Sequence, residues 1–145
     1  MSLQECIELA KSVGTAYLAT VANDQPRVRA LGMWFADETG FYFQVWSTKA
    51  IYNQIQGGKK AEACFYQPAP DGNLGKMLRV SGTVEIIDDI AMKEKCMQDR
   101  PFLKMLGMTG ADDPRLAIFR IADGEAYIWT ADYSGREAEI PRYTF

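Results

Sequence analysis

From Lys76 to Asp88 the chain alternates with a period of two. Leu78, Val80, Val84 and Ile86 hold one parity, and Arg79, Ser81, Thr83 and Glu85 hold the other. This period dictates a strand with one buried and one wetter face. Gly82 sits on the apolar parity, where it predicts a bend or a close backbone approach. Such a strand needs partners, and Thr15–Ala22, Arg27–Phe35, Phe41–Trp46 and Ala61–Gln67 are β-rich runs that can supply them. The turns Asn23-Asp24-Gln25-Pro26 and Asp37-Glu38-Thr39-Gly40 join the first three through connections too short for parallel crossovers. Leu116–Ala122 and Glu125–Ala131 flank Asp123-Gly124, which reads as a two-residue hairpin.

The remaining segments read as helices and one loop. Leu3, Cys6, Ile7, Ala10 and Val13 form an amphipathic stripe, with Ser2 and Glu5 placed as a capping box and Gly14 as the stop. A helix from Ser47 puts Ala50, Ile51 and Ile55 on one face before Gly57-Gly58. A further helical pattern covers 89–99 and breaks at Arg100-Pro101, 102–109 adds a short helix, and 68–75 is a loop. Helices are few, so the chain reads as mainly β with helices: an antiparallel barrel, in one domain spanning 1–145, without repeat or linker.

Charge and residue usage exclude several functions. Sixteen Lys and Arg against nineteen Asp and Glu give a net charge of −3, which argues against nucleic acid as a partner. The chain has no histidine, so the commonest general base and metal ligand are both missing. Cys6, Cys64 and Cys96 form no Cys-x-x-Cys pair and read as buried thiols of a cytoplasmic protein. Asp112-Asp113 before Pro114 reads as a turn without metal-ligand spacing, and Met92, Met97, Met105 and Met108 as helix packing. No basic, apolar leader stands at the start and no run is long enough for a membrane span, so no membrane partner is expected.

The chemistry concentrates between Pro26 and Ile55. Arg29 lies on a strand, two residues after Arg27, and the next strand ends at Trp46 and runs into Ser47-Thr48-Lys49. Hydroxyls, backbone amides and a lysine at a helix start favour an anion, and an arginine fork grips phosphate oxygens in pairs. If neighbouring strands bring Arg29 beside Lys49, they make a phosphate site on an acidic protein. The same Ser-Thr-Lys pattern also serves as a plain helix cap with a solvated lysine.

Gly14-Thr15-Ala16-Tyr17-Leu18-Ala19-Thr20, Pro26-Arg27-Val28-Arg29, Gly40-Phe41-Tyr42-Phe43, Ser47-Thr48-Lys49 and Arg79-Val80-Ser81-Gly82 occur in the order of a known family. Over about residues 5–125 the chain resembles the pyridoxamine 5′-phosphate oxidase-like, FMN-binding split-barrel superfamily. The resemblance implies a six-stranded antiparallel Greek-key split barrel and a homodimer with FMN at the interface. Arg29 and Lys49 match the residues that hold the FMN phosphate, with Ser47 and Thr48 as neighbouring contacts. Leu31 and Gly32 match the strand whose backbone runs along the flavin, and Gln44, Val45 and Trp46 the strand end beside the ribityl chain and ring. Lys76 and Met77 match a stretch reaching the cofactor from the partner subunit. The departures are Trp34, where the true oxidase has a lysine, and the missing arginine–histidine pair; Arg136 and Arg142 lie in no copy of it.

A flavin carries its own hydride and electron chemistry, so a missing histidine does not exclude an enzyme. The expected function is an FMN-dependent oxidoreductase acting on a small-molecule redox substrate, with no catalytic residue identifiable. Three other readings remain open. One is a carrier of flavin, haem or another planar ligand, one is the same barrel using the deazaflavin F420, and one is a structural barrel with no ligand.

Overall fold

The computed structural model describes residues 1–145. Ser2 Oγ accepts the Glu5 N–H at 3.2 Å and starts helix α1 (Leu3–Val13), which buries Cys6, Ile7 and Ala10. Gly14 ends it at φ +78°, returning its N–H to the Ala10 carbonyl. Strands β1 (Thr15–Ala22) and β2 (Gln25–Gly32) follow, joined by Asn23 and Asp24, both at positive φ. That is the backbone a two-residue hairpin with right-handed twist requires. β3 (Phe35–Asp37) and β4 (Gly40–Trp46) make a second hairpin, and α2 (Ala50–Gln54) leads to β5 (Lys60–Gln67) and β6 (Lys76–Ile87). α3 (Ile90–Asp99) and α4 (Phe102–Met105) precede β7 (Leu116–Trp129), and β8 (Tyr143–Thr144) closes the chain.

The architecture is mainly antiparallel β with helices, as the alternation predicts, but it has eight strands rather than six. Their order is β2-β1-β5-β6-β7-β4-β3, with β8 on β7. The path of ladders is open, so the sheet does not close as a barrel. The reason lies at Met33 and Trp34. The Met33 N–H donates to Gly14 O at 2.7 Å and the Trp34 N–H to Tyr42 O at 2.8 Å. The expected strand 27–35 is thereby cut in two. One half stays on β1, the other crosses to β4, and β3 becomes a strand of its own.

The expected hairpin at Asp123-Gly124 is a bulge inside one long strand. β7 pairs with β6 on both sides of it, with a register shift between Ser81 and Thr83. Asp123 takes φ +48°, and a Cβ on Gly124 would lie 1.8 Å from the Ser81 carbonyl oxygen. The positive-φ residues that signal a turn are used to bend a strand against Gly82.

Two cores result. The main one gathers α1 with Phe41, Phe43, Phe65 and Phe119, and Phe43 stacks on Phe119 at 5.2 Å. The smaller one lies under α3 and α4 and contains Cys96, Met97, Leu103, Met108, Leu116 and Ile118. Burial pushes the thiols of Cys6 and Cys96 up to about 11, so both stay protonated at neutral pH. The tail is docked rather than loose: the Tyr127 hydroxyl donates to Glu137, Arg142 stacks on Tyr127, and Phe145 exchanges backbone hydrogen bonds with Gly124. At the β2-β1-β5 end the outer sheet face leaves Tyr17, Val21, Val28 and Tyr66 exposed. No helix is long and apolar enough to cross a membrane.

Candidate functional site

β2 is an edge strand, and its alternation turns Arg29 toward Leu18 and Thr20 of β1. The Arg29 guanidinium donates from Nη1 to Thr20 Oγ1 at 2.7 Å and to Leu18 O at 3.3 Å, and from Nη2 to Gln54 Oε1 at 2.5 Å. The Thr20 hydroxyl, 2% exposed, donates to the same Gln54 oxygen at 2.6 Å. Every one of these partners is neutral, and no carboxylate pairs with Arg29. Burial, and then the nearby Arg27, hold its pKa below the ordinary guanidinium value. A guanidinium keeps its proton even so. The fold therefore fixes a partly buried, uncompensated positive charge.

α2 connects this charge to the Ser-Thr-Lys turn. The helix begins at Ala50 with Lys49 at its N-cap, three residues later than the sequence suggests, and is only five residues long. Its dipole adds little. What α2 does is carry Lys49 at one end and Gln54, which touches Arg29, at the other, about 7.5 Å further along the axis. Ser47 ties the turn down, donating its hydroxyl to Pro114 O at 3.1 Å and its N–H to Arg115 O at 2.8 Å. Thr48 and Lys49 are exposed.

The other predicted residues divide between the two sides of the sheet. Val45 is 3% exposed in the main core, whereas Gln44 and Trp46 project from the opposite face of β4. Trp46 packs on the smaller core with the Arg115 guanidinium 4.9 Å from its ring centre. The Gln44 Oε1 is buried without a hydrogen-bond partner. Leu31 leans on the main core, and Gly32 is exposed. Lys76 and Met77 begin β6, three strand spacings from β2, roughly 14 Å away. Within one chain they do not join Arg29.

Sequence reasoning missed Arg100, whose Arg-Pro break looks like ordinary helix punctuation. Its Nη1 donates to Met33 O at 2.8 Å, while its Nε is buried without a partner. A Cβ on Gly32 would approach its Nη2 to 3.1 Å, so the glycine leaves this arginine room. Burial lowers its pKa, and again no carboxylate pairs with it. Arg100 lines a cleft of about 380 Å³ with Trp34, Phe35, Lys95, Asp99 and Phe102. The Trp34 indole N–H donates to Asp99 at 3.0 Å across it.

The segment beneath Trp46 is held by Asp113, which is 4% exposed. Its carboxylate accepts from the Arg115 side chain and from the backbone N–H groups of Thr109 and Arg115. These bonds, the Arg115 ion pair first, hold it far below the usual carboxylate range. A depressed folded-state pKa contributes stability that is complete above the unfolded value of about 3.9 and fades as pH falls below it. Acid unfolding followed by tryptophan fluorescence is expected to show the difference: Asp113→Asn lowers the melting temperature at pH 7 and flattens its fall below pH 4. A variant with the wild-type acid profile would show that Asp113 carries no such linkage.

Residues 3–130 match the family described as pyridoxamine 5′-phosphate oxidase. The pyridoxine/pyridoxamine 5′-phosphate oxidase of Mesorhizobium japonicum is 31% identical over 137 residues, covering 93% of this chain. The match covers 63% of that enzyme, so the chain spans less than two thirds of its length. A solved NimC/NimA family protein from Clostridium acetobutylicum superposes with a TM-score of 0.76 at 28% identity, over 98% of this chain and 92% of that one. A protein related to general stress protein 26, also from Clostridium acetobutylicum, superposes at 0.69 with 22% identity, over 99% and 94%, and shares the fold.

Proposed function

Because the chain belongs to the pyridoxamine 5′-phosphate oxidase family, we propose that it binds FMN and works as an oxidoreductase on a small molecule. The observation that carries this reading is Arg29, a fixed cation with only neutral partners, joined through Gln54 to the helix that has Lys49 at its N-cap. A phosphate monoester supplies the missing negative charge. Arg29 and Lys49 would hold it, with Ser47 and Thr48 beside them. Leu31, Gly32, Gln44 and Trp46 would flank the rest of the cofactor, with Val45, its side chain in the main core, contributing only backbone. The orphaned Gln44 oxygen is an acceptor suited to a donor on such a ligand.

Bound FMN would supply hydride and electron transfer. The chain's own share is to anchor the phosphate, orient the ring and shape the adjoining cleft. There Arg100 and Lys95 offer positive charge, and Trp34, Phe35 and Phe102 offer flat apolar surface. With Trp34 at the lysine position of the true oxidase, and with no histidine, pyridoxamine phosphate is not the proposed substrate.

The proposed assembly is a homodimer. The bare outer face carrying Tyr17, Val21, Val28 and Tyr66 is the surface a second copy would cover. It would also let the partner subunit contribute its Lys76 and Met77.

The test is an absorbance spectrum of the purified protein, then titration with FMN, FAD, F420 and haem. The expected result is flavin bands, or selective FMN binding at one site per chain, followed by turnover with a nicotinamide donor. Binding without turnover would favour a carrier, preference for F420 or haem would change the cofactor, and indifference to all four would overturn the reading.

A further inference from the structure

The Arg29 hydrogen bonds decide which edge of its guanidinium is free to meet a phosphate. A guanidinium has an end edge, formed by Nη1 and Nη2, and a side edge, formed by Nε and Nη2. Thr20 Oγ1 and Gln54 Oε1 lie 2.6 Å apart and accept from Nη1 and Nη2 respectively, so together they span the end edge. Leu18 O takes the second Nη1 proton. The Nε–H and the remaining Nη2–H are left without partners, and they form the edge that grips two phosphate oxygens side by side.

Gln54 can do this only as an amide. Its oxygen must face Arg29, because the amide nitrogen would set donor against donor. A carboxylate there would fit the same hydrogen bonds but would also neutralise the charge. We propose, on the strength of the FMN reading above, that Thr20 and Gln54 are positioning residues. They pin the end edge of Arg29, hold its side edge toward the phosphate, and leave its charge unspent, which makes the site selective for the phosphorylated flavin.

Gln54→Glu separates this role from simple packing, since it keeps the bonds and adds only a charge. Dissociation constants for FMN and riboflavin, by fluorescence quenching, are compared with the melting temperature. The expected result is a roughly ten- to hundred-fold loss of FMN affinity, the range for a charge-assisted anchor. Riboflavin affinity and melting temperature should hold or rise. Thr20→Val should lose roughly three- to ten-fold for FMN, a neutral bond's worth, and Thr20→Ser should restore it.

Unchanged FMN affinity in Gln54→Glu, or an equal loss for riboflavin, would overturn the positioning role while leaving FMN binding intact. A wild-type chain that binds both flavins alike would overturn the phosphate site itself. Inorganic phosphate gives the same comparison without a flavin. It should raise the melting temperature of the wild type and not of Gln54→Glu, and no shift in either protein would count against the role.

Discussion

Replacing Arg29 and Lys49 together by alanine is expected to abolish useful FMN binding. As charge-assisted anchors the two side chains would each be worth about 1.5–3 kcal/mol, so losing both should raise the dissociation constant by roughly two to four powers of ten. The two would share one ligand, so the single variants need not sum to the double. Riboflavin, which lacks the phosphate, should bind the double variant about as it binds the wild type. The fold should survive, because Lys49 is exposed and Arg29 lies on an edge strand. Thr20, left without one partner in its 2%-exposed site, still has Gln54. Fluorescence quenching measures both affinities, and full FMN affinity in the double variant would remove Arg29 and Lys49 from the site.

The second large effect concerns assembly. Val21 and Val28 lie on neighbouring strands of the bare sheet face and are 58% and 70% exposed in the single chain. Aspartates at both positions should cost the isolated chain little, since each side chain remains in water. Beneath a second copy each charge would be desolvated at several kcal/mol, and symmetry doubles the number. Light scattering after gel filtration should find the wild type at twice the chain mass of 16.3 kDa and Val21→Asp/Val28→Asp at the single mass. FMN binding should fall with the dimer if the partner completes the site. A wild type that is monomeric at high concentration, or a variant that stays dimeric, would place the interface elsewhere or nowhere.

The alternation of Leu78, Val80 and Val84 against Arg79, Ser81 and Thr83 reports a local property, since the buried and wet faces of β6 are decided by the pleat. It was legible for that reason. The Asp123-Gly124 bulge was not, because positive φ suits both a turn and a bulge. Only the continuous pairing of β6 with β7 decides between them. The break at Met33 likewise depends on carbonyls from Gly14 and Tyr42, distant in sequence.

At the site, Arg29 could be named from its motif, but its neutral partners Thr20 and Gln54 come together only through tertiary packing. Nor does Arg100 carry a local signal. An arginine beside a proline looks the same whether its guanidinium is in water or wedged against Gly32 with a buried nitrogen unpaired.

The strand order also sets a timetable for the chain's birth on the ribosome. β1–β2, β3–β4 and β5–β6 pair with near neighbours and can zip up as they emerge. The strand that splices the two halves together, β7, starts only at Leu116. Until it is made, β4 and β6 each present an unmated edge, and Phe43 on β4 lacks the Phe119 ring on which it stacks. Synthesis at about 5–20 residues per second keeps those edges open for seconds. A pause before β7 lengthens that window, and nascent chains stalled there are natural clients for chaperones that shield sticky strands.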